Sequence, residues 1–268
     1  VTADHLQIES PLPGLRVVRL NRPDVMNALT IEMVDDINAT FAAIAKDAAC
    51  RVVIITGAGR GFCSGQDMNV ANRRNSVAPS TVPERLSRQE RFGGMAAGIR
   101  ACPQPVIAAV NGAAAGAGMA IALAADIRLC TPQAKFLVAA VKIGLSGGES
   151  GLSYHLPRLV GMSRAAEILL TGRPIDAAEA ERIGLVSRVV ESADLMPAAT
   201  ALAAQIIANS PFSTAHTKRM MWANVDADSL GTALDLENRT QILATLTDDY
   251  KEATQAFVEK RPPVYTGR

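Results

Sequence analysis

Two stretches of this 268-residue chain end in groups that chemistry can use. Val52 to Asn69 reads VVIITGAGRGFCSGQDMN, and Pro105 to Asp126 reads PVIAAVNGAAAGAGMAIALAAD. Each is an apolar run that breaks into glycines and small residues, then leads into a segment able to start a helix. A strand that stops at glycines leaves backbone N–H groups without ladder partners. Two such ends facing one point would stabilise an oxygen that is gaining negative charge.

Other residue patterns suggest other chemistry. Gly144-Leu145-Ser146-Gly147-Gly148 fits GxSxG, the sharp strand-to-helix turn that presents a nucleophilic serine, and His216 lies downstream. That pattern is the mark of a serine hydrolase. Glu149 follows, at the start of the next expected helix (149–159). There it either meets the helix dipole or acts as general acid or base beside a substrate carbon. Asp67 and Asp126 flank the glycine-rich ends and read as residues that satisfy neighbouring backbone N–H groups. His155, in SYHLPR, reads as a packed helical residue, with Tyr154 facing either the site or the core. Lys218-Arg219-Met220-Met221 reads as a mixed helix face, and Lys260-Arg261 as a solvated pair. Glycines 57, 59 and 61 fail the dinucleotide fingerprint, because Phe62 stands where its third glycine is required.

Composition narrows the classes. With 27 basic and 26 acidic side chains the net charge is +1, so no global field recruits nucleic acid. Cys50, Cys63, Cys102 and Cys130 have no CxxC spacing and no neighbouring His, which reads as reduced, buried thiols in a cytoplasmic protein without a metal site. The first residues, VTADHLQIES, carry no export signal. The most apolar stretch, Val106 to Ala125, is interrupted by Asn111 and glycines and reads as a strand plus a buried helix, not a membrane span.

The elements that must position these residues follow from periodicity. Leu6 to Ser10 and Leu15 to Leu20 read as a hairpin turning at Pro11 to Gly14. Thr30 caps a helix over 31–47, where Val34, Ile37, Phe41 and Ile44 recur at helical spacing. Val52 to Thr56 and Pro105 to Val110 are apolar throughout, as strands covered on both faces are. Residues 70–80 carry no periodicity and read as a mobile loop; a helix follows at 83–101. Gly116 to Ala125 has almost no polar face and reads as a helix buried all round. Short strands follow at Ile127 to Cys130 and Lys135 to Ala139, helices at Arg164 to Leu170 and Ala177 to Ile183, and a last strand at Leu185 to Val190. From Ala193 the signal is helical almost to the end, with breaks at Pro211 and near Asp226. Strands alternating with helices, then helices alone, predict an α/β core with a helical C-terminal portion. Hydrophobic residues make up 49 % but aromatics only 4 %, so Ala, Val, Ile and Leu must build that core.

Taken together, LNRPDVMNALT, VVIITGAGRGFCSGQDMN, PVIAAVNGAAAGAGMAIALAADIRLC and RLVGMSRAAEILLTGRPIDAAEAERIGLVSRVV resemble the enoyl-CoA hydratase/isomerase family, the crotonase superfamily, from about residue 15 to the terminal AFVEKR. The resemblance implies a spiral of ββα units over 1–195 and a helical oligomerisation region over 196–268, assembled as a homotrimer or a dimer of trimers. It implies a coenzyme A thioester as substrate, an acyl-CoA with no tightly bound cofactor, whose carbonyl sits on two backbone N–H groups while an enolate forms. Those donors fall on Gln66, after Ser64 and Gly65, and on Ala117, after Gly116. Ala117 stands where the family usually has the second of three glycines. By the same likeness Met26, Ala28 and Asp67 border the coenzyme A, and Phe257 and Lys260 reach that of a neighbouring subunit. The two hydratase glutamates fall on Ala120 and Ala140, which carry no proton, so the usual two-glutamate addition of water lacks its acids. A third carboxylate position, used by dienoyl-CoA isomerases, falls on Glu149. The resemblance thus leaves three readings beside the serine hydrolase: a hydratase-like enzyme, an isomerase working through Glu149, or a non-catalytic acyl-CoA binder.

Overall fold

The computed structural model describes residues 5–71 and 81–268, so most of the expected loop at 70–80 lies outside the described residues. Leu6–Glu9 (β1) and Leu15–Leu20 (β2) pair antiparallel as expected, with Leu6 opposite Leu20. Ile31–Ile44 (α1) starts at Thr30, whose side chain accepts a hydrogen bond from the Met33 N–H. Val52–Gly57 (β3) follows, buried at every position. Val82–Ala101 (α2) opens with a reciprocal cap between Thr81 and Glu84. Val106–Val110 (β4), Ala113–Ala115 (β5), Ala117–Ala124 (α3), Ile127–Cys130 (β6) and Lys135–Leu137 (β7) come next. Leu152–Val160 (α4), Met162–Thr171 (α5), Ile175–Asp176 (β8), Ala177–Arg182 (α6) and Arg188–Val189 (β9) complete the alternating part.

Six strands form one sheet in the order β1-β2-β3-β4-β6-β9, parallel from β2 onward. β5, β7 and β8 form a second, smaller sheet. The apolar runs of β3 and β4 are buried on both sides for a visible reason. Val53 and Ile55 face the core that holds Phe41 of α1 and Met95 of α2. Val52 and Ile54 face a second layer with Leu195, Ala199 and Ala203. Those last three lie on Leu195–Ile207 (α7), so the expected division at 195/196 falls at the start of a helix that covers the sheet.

Beyond α7 the chain is helical among the described residues: Pro211–Asn224 (α8), Leu230–Thr245 (α9) and Asp248–Glu259 (α10). These helices bury little. Lys218 is the buried residue of α8, Thr240 that of α9, and Asp249 and Ala256 those of α10. Lys218 corrects the expected mixed helix face. Its ammonium ion is inside the protein, 2.8 Å from Asp126 Oδ2, and it donates to the Ile99 and Gln104 carbonyls. No helix among the described residues is long and apolar enough to cross a membrane.

Candidate active site

The two glycine-rich ends do meet. Cys63 donates to the Ala113 carbonyl at 3.0 Å, and its own carbonyl accepts from Ala115 at 2.9 Å. The approach is so close that side chains are excluded. A methyl group on Gly118 would stand 2.2 Å from the Cys63 carbonyl oxygen, and one on Gly65 2.8 Å from that of Ala115 and 3.7 Å from the Ala117 nitrogen. The strand Ala113–Ala115, absent from the sequence reading, pairs with Lys135–Leu137 on one side and bridges Cys63 on the other. Three alanines carry no strand signal, and only the partner backbone makes them one.

Gln66 sits in a parallel bridge to Leu29. Leu29 donates to the Gly65 carbonyl at 2.8 Å, and Asp67 donates back to Leu29 at 2.9 Å. In such a bridge the middle residue turns its own N–H the other way. Among the described residues the Gln66 N–H has no hydrogen-bond acceptor, and neither has that of Ala117, the first residue of α3. The first N–H groups of a helix have no partner within it, and they carry the positive end of its dipole. Ala117 is 3 % exposed, so its methyl group is packed away inside the fold.

Two asparagines hold the first loop in place. The Asn27 amide, wholly buried, donates to the carbonyls of Ala58 and Gly61 at 2.9 Å and of Phe62 at 3.1 Å, and its oxygen accepts from the Arg22 N–H at 2.7 Å. Asn111 donates to Gly59 at 2.9 Å and Gly61 at 3.2 Å, and accepts from the Gly57 N–H. Sequence reasoning missed both. A signal existed for Asn27, an asparagine within the polar NRPDVMN connection that the resemblance includes. Met26 and Asn27 both have positive φ, 51° and 56°, and Ser64 donates to the Met26 carbonyl at 3.0 Å. Ala28, beside them, is 8 % exposed and accepts a hydrogen bond from Arg22.

Asp67 is a structural residue of this loop. It pairs with Arg22 at 3.1 Å and accepts from the Val70 N–H at 3.2 Å. Burial raises its carboxyl pKa, but the Val70 and Arg22 hydrogen bonds together outweigh it and hold the group below the ordinary aspartate range.

Glu149 is the acid that reaches the meeting point. It lies in the loop before α4, which starts at Leu152, three residues later than Glu149, so the dipole contact weighed for it is absent. Its main-chain carbonyl accepts from the Leu152 N–H at 2.8 Å. Its side chain runs instead to Gly116, where an added methyl group would meet Glu149 Oε1 at 3.1 Å. Gly116, with φ 50°, is the residue immediately before α3. Burial holds the half-buried Glu149 carboxyl above the ordinary glutamate range. Ala120 and Ala140 are buried at 1 % and 6 % exposure and offer no ionisable group.

Ser146 lacks the setting of a nucleophile. The segment before it is a 3₁₀ turn, Ala140–Ile143, not a strand, and Ser146 Oγ accepts the Gly148 N–H at 3.1 Å. Among the described residues no hydrogen bond joins Ser146 to a histidine; His216 is stacked on Phe212 at 4.1 Å, within α8. The cysteines are equally quiet. All four are free and buried, and burial pushes Cys50, Cys63 and Cys130 up to about 12. No group of His, Cys, Asp and Glu among the described residues could hold a metal ion. A cavity of about 520 Å³ lies elsewhere, walled by Asp126, Lys218, Asp249 and Tyr250, and includes none of the candidate site residues. Phe257 is 85 % exposed near the end of α10, and Lys260 forms its left-handed cap.

Known proteins similar to this chain share its fold and name its family. The family model described as enoyl-CoA hydratase/isomerase matches residues 13–268. A Mycobacterium tuberculosis protein named as a probable enoyl-CoA hydratase is 42 % identical, over 99 % of this chain and 94 % of its own length. The 1,2-epoxyphenylacetyl-CoA isomerase of Escherichia coli is 36 % identical over 95 % of this chain and 96 % of its own. The crystal structure of an enoyl-CoA hydratase from Bacillus anthracis superposes with a TM-score of 0.92 at 31 % identity, covering 98 % of this chain and 100 % of that one. The family match spans nearly the whole chain and the relatives are similar over their full length: this chain belongs to the enoyl-CoA hydratase/isomerase family.

Proposed function

We propose that the protein moves a double bond within the acyl chain of a coenzyme A thioester, with Glu149 as the proton carrier. The thioester oxygen rests on the N–H groups of Gln66 and Ala117. Glu149 removes a proton from the carbon next to the thioester of a 3-enoyl-CoA, and the charge spreads onto that oxygen as a dienolate. The same carboxyl returns the proton to the far end of the dienolate, giving the 2-enoyl-CoA with no net gain or loss of atoms. A pair of preorganised donors of this kind is the largest electrostatic term, each worth roughly 10²- to 10³-fold in rate.

The observation that carries this reading is the position of Glu149 against Gly116, with Ala120 and Ala140 where the resemblance puts the hydratase acids. One carboxyl suffices to take and return one proton; adding water needs it oriented and split as well. The raised Glu149 pKa suits a base that must also give its proton back near neutral pH. The name of the Escherichia coli relative supports isomerase chemistry on this scaffold, and that of the Mycobacterium tuberculosis relative supports hydratase chemistry.

The deciding experiment offers 2-enoyl- and 3-enoyl-CoA thioesters in deuterated water and weighs the products. Isomerisation moves the double bond without added oxygen, and deuterium enters to the extent that the Glu149 carboxyl exchanges with solvent before it returns the proton. Gain of a water molecule would assign hydration, and an absence of both turnover and exchange would assign a binder. Failure of a fluorophosphonate to label Ser146 removes the hydrolase.

We also propose that residues 196–268 include the surface through which the chain forms a homotrimer or a dimer of trimers in the cytoplasm. Leu230, Leu246, Phe257 and Val258 are 75 %, 71 %, 85 % and 76 % exposed. So much apolar surface on successive helices fits an interface. In that assembly Phe257 and Lys260 would reach a neighbour's coenzyme A, while Met26, Ala28, Ser64, Gly65 and Asp67 border the chain's own. Light scattering on the purified protein gives the subunit number.

A further inference from the structure

We propose that Trp222, on a C-terminal helix, is a positioning residue that sets Glu149 through His155 and the turn 149–151. The inference rests on the reading of Glu149 as proton carrier.

The turn needs outside support. Ser150 and Gly151, which follow Glu149, both have positive φ, 48° and 90°. A serine in this conformation is strained and persists only where its surroundings enforce it. The surroundings are visible. His155 donates its main-chain N–H to the Gly151 carbonyl at 2.9 Å. Its ring stands beside Gly151, where an added methyl group would be in ordinary van der Waals contact with Cδ2 at 3.4 Å and Nε2 at 3.6 Å. The ring is in turn held at an edge against Trp222, with centroids 6.1 Å apart and planes at 74°.

Trp222 is itself held by two further contacts, and its helix by a third link. Its Nε1 donates to Asp126 Oδ1 at 2.9 Å, and Asp126 lies just beyond the end of α3. The Arg100 guanidinium stacks over its ring at 3.0 Å. Asp226, in the loop after α8, accepts from Tyr154 Oη at 2.5 Å and from Arg158 at 2.7 Å, clamping α4 to that helix. Asp126 thus ties Trp222 to α3, whose first N–H is one proposed donor, and His155 ties it to the loop of the acid. Among the described residues Ser150 Oγ, His155 Nδ1 and Arg100 Nη1 are buried without hydrogen-bond partners, so within them packing, not side-chain hydrogen bonding, holds these three atoms. The charged and titratable groups around the unit are Arg100 from α2, Asp126 after α3, Arg128 from β6, Tyr154 and Arg158 from α4, Lys218 from α8, and Asp226.

The test compares W222L, W222F and E149Q in the isomerisation of 3-hexenoyl-CoA, as kcat and KM over a range of pH. W222L is expected to lose about tenfold or more in kcat with KM little changed, since a misplaced catalytic group can cost ~10²-fold. Its acid limb should move toward the ordinary glutamate value as water reaches Glu149. W222F keeps the ring edge and should recover most of kcat. The E149Q/W222L double variant should be no slower than E149Q, because Trp222 acts only through Glu149. The proposal is overturned if folded W222L keeps the native kcat and pH profile, or if its loss adds fully to that of E149Q. Where W222L does not fold, H155L, which removes the ring on the other side of the same contact, serves in its place, with the same expectations and the same overturning results. Full activity of E149Q would remove the parent reading and this inference with it. An inactive E149Q beside a native-like W222L removes this inference alone.

Discussion

Glu149 points its carboxylate at Gly116, so that a methyl group on Gly116 would lie 3.1 Å from Oε1. This contact joins the proposed acid to the start of the helix whose first N–H is a proposed donor. Charge would therefore develop on an oxygen beside Ala117 while a proton moves to or from a group one residue away in space.

Glu149→Gln is expected to lower turnover by roughly 10²- to 10⁴-fold, the usual contribution of a general acid or base. Thioester affinity, measured by calorimetry with a saturated acyl-CoA, should stay near native. The pH dependence has a definite sign. A base works deprotonated, and burial raises the pKa of Glu149, so kcat/KM should fall with acid at a pH above the ordinary glutamate range. The residual rate of the glutamine variant should lack that limb.

Gly116→Ala should damage activity more than stability. The position has φ 50° and ψ −123°, a region that side chains rarely adopt, at a cost on the order of 1–3 kcal/mol. The new methyl would also press on Glu149 Oε1, which must give by a few tenths of an ångström and so shift from its place beside Ala117. Ala117→Gly, at the next residue, removes a buried methyl and should cost about 1 kcal/mol or less without loss of turnover. Steady-state kinetics and urea denaturation of the two variants separate the effects.

Asn27→Ala should destabilise the protein by about 3 kcal/mol, since it strips a donor from the buried carbonyls of Ala58, Gly61 and Phe62. Asn27→Gly relieves the backbone, which has φ 56°, but not the hydrogen bonds. It should therefore recover only about 1 kcal/mol of the loss in urea unfolding.

His155 predicts an acid sensitivity. Burial, and then the charges of Arg100, Arg128 and Arg158, push its imidazole from 6.5 down to about 4. Between these values the unfolded chain takes up a proton that the native protein refuses, so the native state loses stability as pH falls through that window. His155→Phe removes the proton uptake and should flatten the melting temperature between pH 6.5 and about 4. An unchanged slope in scanning calorimetry would show that other groups govern acid unfolding.

The sequence by itself determined the strands that end in glycine, the helix buried all round and the late change to helices alone. Each is a local matter: periodicity, β-branching and turn residues act within a few positions. It also determined the family, because LNRPDVMNALT and the two glycine-rich stretches keep their order and spacing over most of the chain. Tertiary structure decided the rest. Ala113–Ala115 becomes a strand only because Cys63 and Phe136 lie beside it. Lys218 is buried because Asp126, distant in sequence, neutralises it. Ser146 loses the nucleophile's role because a 3₁₀ turn precedes it. Along the chain Glu149 reads equally well as a helix partner or an acid; only the fold puts it ahead of the helix that starts at Leu152, with its carboxyl beside Gly116. Those facts depend on which backbones approach within a few ångströms, and no local pattern encodes such distances.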